Sequence, residues 1–393
     1  MNFKSIFFYI GLFCFPISLL SFINILYSSY FDFFLSIESY FTTLILSLFI
    51  GTSLFLIGKK SNKKLNFIEQ LILIISVYIL IGFLISIPYY LSNLKVTFLS
   101  SFFEAVSGLT STGFSTFKNI KYLDPTLILW RSSSQWVGGF YFLIFLILIF
   151  SNKQIDTKFI NYSFNLENKL NFASNLHTAS IKIFFIYFIL TIFIFSIFSI
   201  SGIRLFNSFN LSMTIISSGG FLPTNSLNDI IITNFQSLSL IFSFLISILN
   251  FYLFYNLFLA RNNIKHHKEE IYILLSIIIF FVIFYFTNKM DLLSVLLNVL
   301  SSIGTSGITT DTVPDNFGLY FLLLTLFGGS VLSNTSGIKF LRFYILLKAF
   351  FIEMYKLVKP NFILNTNIMY SQNKINSENI RMSFLIFIFL SNC

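Results

Sequence analysis

Charge is what this chain has least of. Asp, Glu, Lys and Arg make up 10% of its 393 residues, against about 25% in an ordinary soluble domain. Cysteine is nearly absent: the 2 present, Cys14 and Cys393, allow neither a disulfide framework nor a thiolate ligand set. Of the 3 histidines, His266 and His267 sit side by side in a basic loop and read as solvated. No HExxH, no GxSxG, no phosphate-binding glycine loop and no His/Cys/Asp/Glu cluster at metal spacing occurs. An enzyme is therefore not expected, nor a covalent cofactor.

What fills the chain instead is apolar: 56% hydrophobic residues and 20% aromatic. Runs at 6–28, 40–58, 70–92, 126–150, 179–200, 235–259, 271–287 and 317–350 are about 20 residues or longer, enough to span a ~30 Å hydrocarbon core. They predict an all-α polytopic membrane protein in contact with lipid. A ninth run opens near Met382 and stops at Cys393. The first run follows Lys4 but lacks a small-residue cleavage site, so it reads as a retained helix rather than a signal peptide.

The net charge of +10 could suggest a nucleic-acid partner. Its distribution argues for topology. Lys59, Lys60, Lys63 and Lys64, then Lys153, Lys158 and Lys169, then Arg261, Lys265 and Lys268, then Lys348, Lys356 and Lys359 fall in alternate loops. The intervening loops are nearly balanced, as with Lys95, Glu104, Lys118, Lys121 and Asp124. This positive-inside bias predicts a cytoplasmic N-terminus and no nucleic-acid binding.

One pattern occurs three times. A span is followed by a short apolar segment, a turn of Ser, Thr and Gly, and a second span. The short segments are Phe98–Leu109, Leu205–Ile216 and Leu292–Ile303. The turns are Thr110, Ser111, Thr112 and Gly113; Ser217, Ser218, Gly219 and Gly220; and Gly304, Thr305, Ser306 and Gly307. Segments of about ten to twelve residues are too short to cross a bilayer. They predict helices that enter the membrane and stop, and such backbone must satisfy its polar groups or line a wet cavity. The predicted organisation is 1–66, two leading helices; 67–170, 171–265 and 266–350, three helix–turn–helix units around a pore, the third with its last helix broken at a Gly- and Ser-rich middle; and 351–393, a cytoplasmic linker and the start of a fourth unit.

The turn chemistry suits a cation. Stripping water from potassium takes several closely spaced oxygens of partial charge, which backbone carbonyls supply. Turning consecutive carbonyls inward requires dihedrals that glycine tolerates. Helices that point their C-terminal ends at the turns add negative potential. Ionisable residues are otherwise scarce in the spans, which disfavours a secondary transporter of another solute. Glu104 and Arg131 are the exceptions. They pair with one another, or Glu104 lends negative potential to a pore entrance.

The stretch from Phe102 to Thr116, with Leu129-Trp130-Arg131-Ser132-Ser133-Ser134-Gln135-Trp136-Val137-Gly138-Gly139 after it, resembles the first pore loop and following helix of the Trk/Ktr/HKT family of potassium transporters. Ser218-Gly219-Gly220-Phe221 is similar to that family's second loop, and Thr305-Ser306-Gly307-Ile308 to its third, where Phe is usual in place of Ile308. Gly328, Gly329, Ser330, Val331, Leu332, Ser333, Asn334, Thr335, Ser336, Gly337, Ile338 and Lys339 resemble the family's intramembrane gating loop. A small-residue patch for helix packing is the alternative there. Lys339 and Arg342 read equally well as gating residues or as snorkelling anchors. The resemblance implies potassium uptake, a homodimer in the bacterial inner membrane and a cytoplasmic nucleotide-binding regulatory subunit. The family uses four units where this chain holds three. A non-conducting remnant is thus an open alternative, through an early stop, a split gene or a partial sequence.

Overall fold

The computed structural model describes residues 2–31, 37–61, 65–92, 96–150, 176–260, 268–287, 291–310 and 318–359, with a few positions between 380 and 387. Lys63, Lys64, Lys95, Lys153, Lys158, Lys169, Arg261, Lys265, His266 and His267 lie outside the described residues, as does most of the apolar run after Met382.

The described elements are helices: α1 Phe3–Tyr30, α2 Ile37–Gly58, α3 Phe67–Tyr90, α4 Phe98–Leu109, α5 Pro125–Phe150, α6 Leu176–Ile200, α7 Leu205–Ile216, α8 Asn234–Ile248, α9 Phe251–Tyr255, α10 Lys268–Thr287, α11 Leu292–Ile303, α12 Gly318–Phe327 and α13 Phe340–Val358. Six are long and apolar enough to cross a membrane: α1, α2, α3, α5, α6 and α10. This is a membrane protein, and lipid leaves such segments only the helix for satisfying their backbone. Polar caps set the ends. The Asn66 side chain and Glu69 form a capping box at α3, and Glu69 Oε1 also accepts the Asn2 N–H at 2.6 Å. Thr233 and Gln236 form another at α8, and Thr97 Oγ1 accepts from the Ser100 N–H at 3.3 Å to start α4.

Two of the eight apolar runs are broken, the first of them unexpectedly. The run 235–259 divides into α8 and Phe251–Phe258, which meet at 95°. Asn250 causes this: its Oδ1 accepts the Tyr252 N–H at 2.9 Å, starting a new helix inside an apolar run. The run 317–350 divides into α12 and α13, separated by 328–339. Gly328, with φ +63°, ends α12.

Two compact units divide the chain: Met1–Asn152 with Thr191–Ile232, and Lys153–Leu190 with Thr233–Cys393. In the first, α1 packs on α2 and α3, α4 on α3 and α5, and α7 on α5. Glycines allow the closest approaches. A Cβ on Gly11 would come 2.7 Å from Gly51 O of α2, and one on Gly138 of α5 would overlap Leu109 O at the end of α4. In the second unit, α11 packs on α8, α10 and α12, and α10 touches α13.

Candidate functional site

The three short helices end identically. α4, α7 and α11 are 12 residues each. Two residues past each end stand Ser111, Ser218 and Thr305, with φ of +54°, +52° and +54°. Their N–H groups donate three residues back: Ser111 to Gly108 O at 2.9 Å, Ser218 to Ile215 O at 3.0 Å and Thr305 to Ser302 O at 3.0 Å. The next N–H reaches five back: Thr112 to Ser107 O at 2.9 Å, Gly219 to Thr214 O at 2.8 Å and Ser306 to Ser301 O at 3.0 Å. This is the Schellman pattern, usually closed by glycine. A residue with a Cβ in the left-handed region costs roughly 1–2 kcal/mol, and here three carry that cost at matching positions. Gly113 and Gly307, two residues on, also have positive φ, +83° and +67°.

Side chains from the short helices hold the turns from behind. Ser107 Oγ donates to Phe114 O at 2.6 Å, and Thr214 Oγ1 to Phe221 O at 2.9 Å. At the same place in α11, Ser301 Oγ meets Ser306 Oγ at 2.9 Å. One turn earlier in α4, buried Glu104 accepts the Thr116 N–H at 2.8 Å through Oε2. At the matching place in α11, Asn298 Oδ1 accepts the Thr310 N–H at 3.1 Å. The corresponding positions of the middle unit hold Leu211 and Pro223. Proline has no N–H to satisfy, and leucine offers no acceptor. Donor and acceptor are therefore absent together.

Arg131 of α5 braces the first unit. It is 1% exposed and pairs with Glu104, Nε to Oε1 at 2.9 Å. Its Nη2 donates to Ser115 Oγ at 3.0 Å and its Nη1 to Leu222 O at 3.5 Å. The guanidinium lies 4.2 Å from the centre of the Phe221 ring. One side chain thus touches the segments following both turns of this unit. Gln135, one helical turn along α5, reinforces the second: with its amide oriented to satisfy both bonds, the oxygen accepts from the Gly220 N–H at 3.1 Å and the Phe221 N–H at 3.3 Å. The two turns themselves are close, since a Cβ on Gly113 would come 2.9 Å from Gly220 Cα.

In the second unit, the segment 328–339 is folded onto its neighbours and, apart from Ser336 and Gly337, buried. The break between α8 and α9 receives it: the Ser330 N–H donates to Ile248 O at 3.1 Å, and the Phe251 N–H donates to Leu332 O at 2.9 Å. Glu269 of α10 accepts the Val331 N–H at 3.2 Å. The Ser336 N–H donates to Thr305 Oγ1 at 2.8 Å, joining the segment to the third turn. The base is closed by the Ile338 N–H to Leu326 O at 2.9 Å and the Phe340 N–H to Gly329 O at 3.1 Å. Inside the fold lies the Lys339 ammonium, donating to Ser333 O at 3.0 Å, to Thr335 O and to both hydroxyls. Lys339 is 6% exposed, so its head does not snorkel. Arg342 Nη1 donates to Ile338 O at 3.3 Å.

The residues singled out in the sequence thus fall into two groups. Thr110–Gly113 and Ser217–Gly220 lie together in the first unit, with the Glu104–Arg131 pair behind them. Gly304–Gly307 and 328–339 lie together in the second. Sequence reasoning did not find Asn250, Glu269, Gln135 or the Thr305 hydroxyl as participants. Asn250 left a trace, an amide in the middle of an apolar run.

The family whose sequence profile matches residues 36–273, more than half of the chain, is TrkH, described as a cation transport protein. An uncharacterised cation transporter of Methanocaldococcus jannaschii is 24% identical over 349 residues, 84% of this chain and 68% of that protein. The Trk system potassium uptake protein TrkG of Escherichia coli is 26% identical over 376 residues, 90% of this chain and 76% of that one. Among solved structures, that of the potassium transporter TrkH from Vibrio parahaemolyticus superposes with a TM-score of 0.80 at 19% identity, covering 100% of this chain and 83% of that one. It shares the fold.

Proposed function

The chain belongs to the TrkH family of cation transport proteins, and on that premise we propose that it takes up potassium across a membrane. The carbonyls of 110–113, 217–220 and 304–307 replace the ion's hydration shell, and 328–339 gates the path. The units 67–170, 171–265 and 266–350 are the pore repeats. The observation that carries this reading is the threefold recurrence of one strained helix end, with Ser, Ser and Thr in the left-handed region. Ordinary loops have no reason to repeat that cost in register. Carbonyl dipoles at the C-terminal end of a helix favour a cation, each helix end contributing roughly half a negative charge. The buried Glu104 carboxylate faces Arg131, which supports a structural role for the pair. Its charge is then largely spent on Arg131.

The names of the relatives support potassium as the ion. The bacterial inner membrane, a cytoplasmic N-terminus, a homodimer and a cytoplasmic nucleotide-binding regulatory subunit complete the proposal. They rest on the resemblance and on the lysine-rich loops.

Rubidium uptake in cells stripped of their own potassium uptake tests it. The full chain is expressed alone and, in a second arm, with the closing unit of a relative fused after Ser391. Rubidium entry in either arm, exceeding sodium entry, is expected. Properly inserted protein that moves neither ion in both arms would overturn the reading.

A further inference from the structure

We infer that Thr305 ties the segment 328–339 to the third turn, so that displacement of the segment changes the turn's conformation and with it the choice of ion. This deepens the function proposed above and rests on it.

The contact is direct. The Ser336 N–H donates to Thr305 Oγ1 at 2.8 Å. Thr305 is also the left-handed residue on which the turn pivots, with φ +54°. A pull on its side chain acts at the pivot itself.

The other two turns show that the hydroxyl is not needed to form the turn. Ser111 and Ser218 occupy the same position with nearly the same φ. Their hydroxyls make no hydrogen bond among the described residues. Both turns nonetheless close through the same pair of backbone bonds. The hydroxyl at this position is idle twice and engaged once, in the turn that has a folded segment beside it.

The residue type differs in the same sense. Threonine is less at home than serine at positive φ, because its Cβ is branched. The branch, however, restricts χ1 and so holds Oγ1 toward Ser336. The surroundings of the third turn also differ from those of the first. A Cβ on Gly113 would meet Gly220 at 2.9 Å, whereas one on Gly307 would find nothing within 4 Å among the described residues. The tie to Ser336 supplies support from another side. Ser336 in turn is set at the neck of the segment, between buried Thr335 and Gly337, whose φ is +82°. When the segment unfolds, this N–H leaves.

The test uses the full chain, in whichever form conducts, reconstituted in vesicles, with rubidium and sodium fluxes measured side by side. Thr305→Val keeps the branched shape and removes the hydroxyl. Thr305→Ser keeps the hydroxyl. A third variant deletes residues within 330–337, and a fourth combines that deletion with Thr305→Val. The expected result is a rubidium-to-sodium ratio about fivefold lower in Thr305→Val, the worth of one net hydrogen bond. Thr305→Ser should restore it, and the deletion variant should show the same lowered ratio whether or not valine is present. A wild-type ratio in Thr305→Val, with flux raised by the deletion, overturns the tie and leaves the gate standing. An equal further loss when valine is added to the deletion marks Thr305 as a purely local turn residue and also overturns the tie. A deletion that leaves flux and selectivity unchanged removes the gating reading, and the tie falls with it.

Discussion

Arg131 and Glu104 are the only ion pair at 1% and 0% exposure among the described residues, and their worth depends on their being removed singly or together. A buried charge without its partner costs about 3–5 kcal/mol, whereas replacing both partners by packed apolar groups can be neutral. Arg131→Met should therefore lower the stability of the detergent-solubilised protein by about that amount, read from thermal or denaturant unfolding. Glu104→Gln should cost a comparable amount, because the amide oxygen still accepts the Thr116 N–H that now binds Oε2 but the Arg131 guanidinium stays buried without its anion. The combined variant should recover part of the loss. Losses that simply add in the combined variant would mean the pair does not carry the energy. The glycines give a second contrast. Gly113→Ala meets both an unfavourable φ and the Gly220 backbone at 2.9 Å, while Gly307→Ala meets only the φ. Strain of roughly 1–2 kcal/mol per left-handed alanine sets a floor for both. The rubidium-to-sodium ratio should fall further for Gly113→Ala than for Gly307→Ala.

Elements were legible in the sequence where one physical rule governed them. The six long spans follow from apolar length alone, and α4, α7 and α11 emerge with the bounds their turn residues suggested. The 95° break at Leu249–Asn250 did not emerge, because a hydropathy pattern that stays apolar through 235–259 cannot register where backbone hydrogen bonds change partner. That break exists to be used: Ile248 O and the Phe251 N–H, which a continuous helix would consume internally, bond to Ser330 and Leu332 instead. The break at 328–339 was legible from its small residues, but the way the segment folds was not, since its cohesion comes from Lys339 reaching back to carbonyls four and six positions earlier. Lys339→Met should leave those carbonyls without a donor and loosen the segment. Rubidium flux should rise several-fold with little loss of expressed protein. Unchanged flux would show that the ammonium is dispensable to the fold of the segment. Asn250→Ala should cost about 1 kcal/mol of stability through the lost cap, measured by the same unfolding assay.

At the scale of the whole molecule, potassium should act as a ligand of the folded state. A cation bound by the turns stabilises by an amount set by its concentration relative to its dissociation constant, about 2.7 kcal/mol at a hundredfold excess. Replacing potassium with a bulky organic cation at constant ionic strength should lower the unfolding temperature by several degrees, and rubidium should restore it. No shift between these cations would argue against a carbonyl site with appreciable affinity. Which helices pack on one another within each unit was not legible from the sequence, since periodicity reports a helix's apolar faces and not the partner each one finds. The pairing of Leu211 with Pro223 has a further consequence, for how such a chain varies. At the two other corresponding places an acceptor and an N–H answer each other, Glu104 with Thr116 and Asn298 with Thr310. Changing one position alone leaves an acceptor or an N–H without its answer in this pair; changing both does not. Copies of the unit can therefore drift apart here only by linked exchanges. Such paired positions bind the history of one residue to that of another twelve places along the chain.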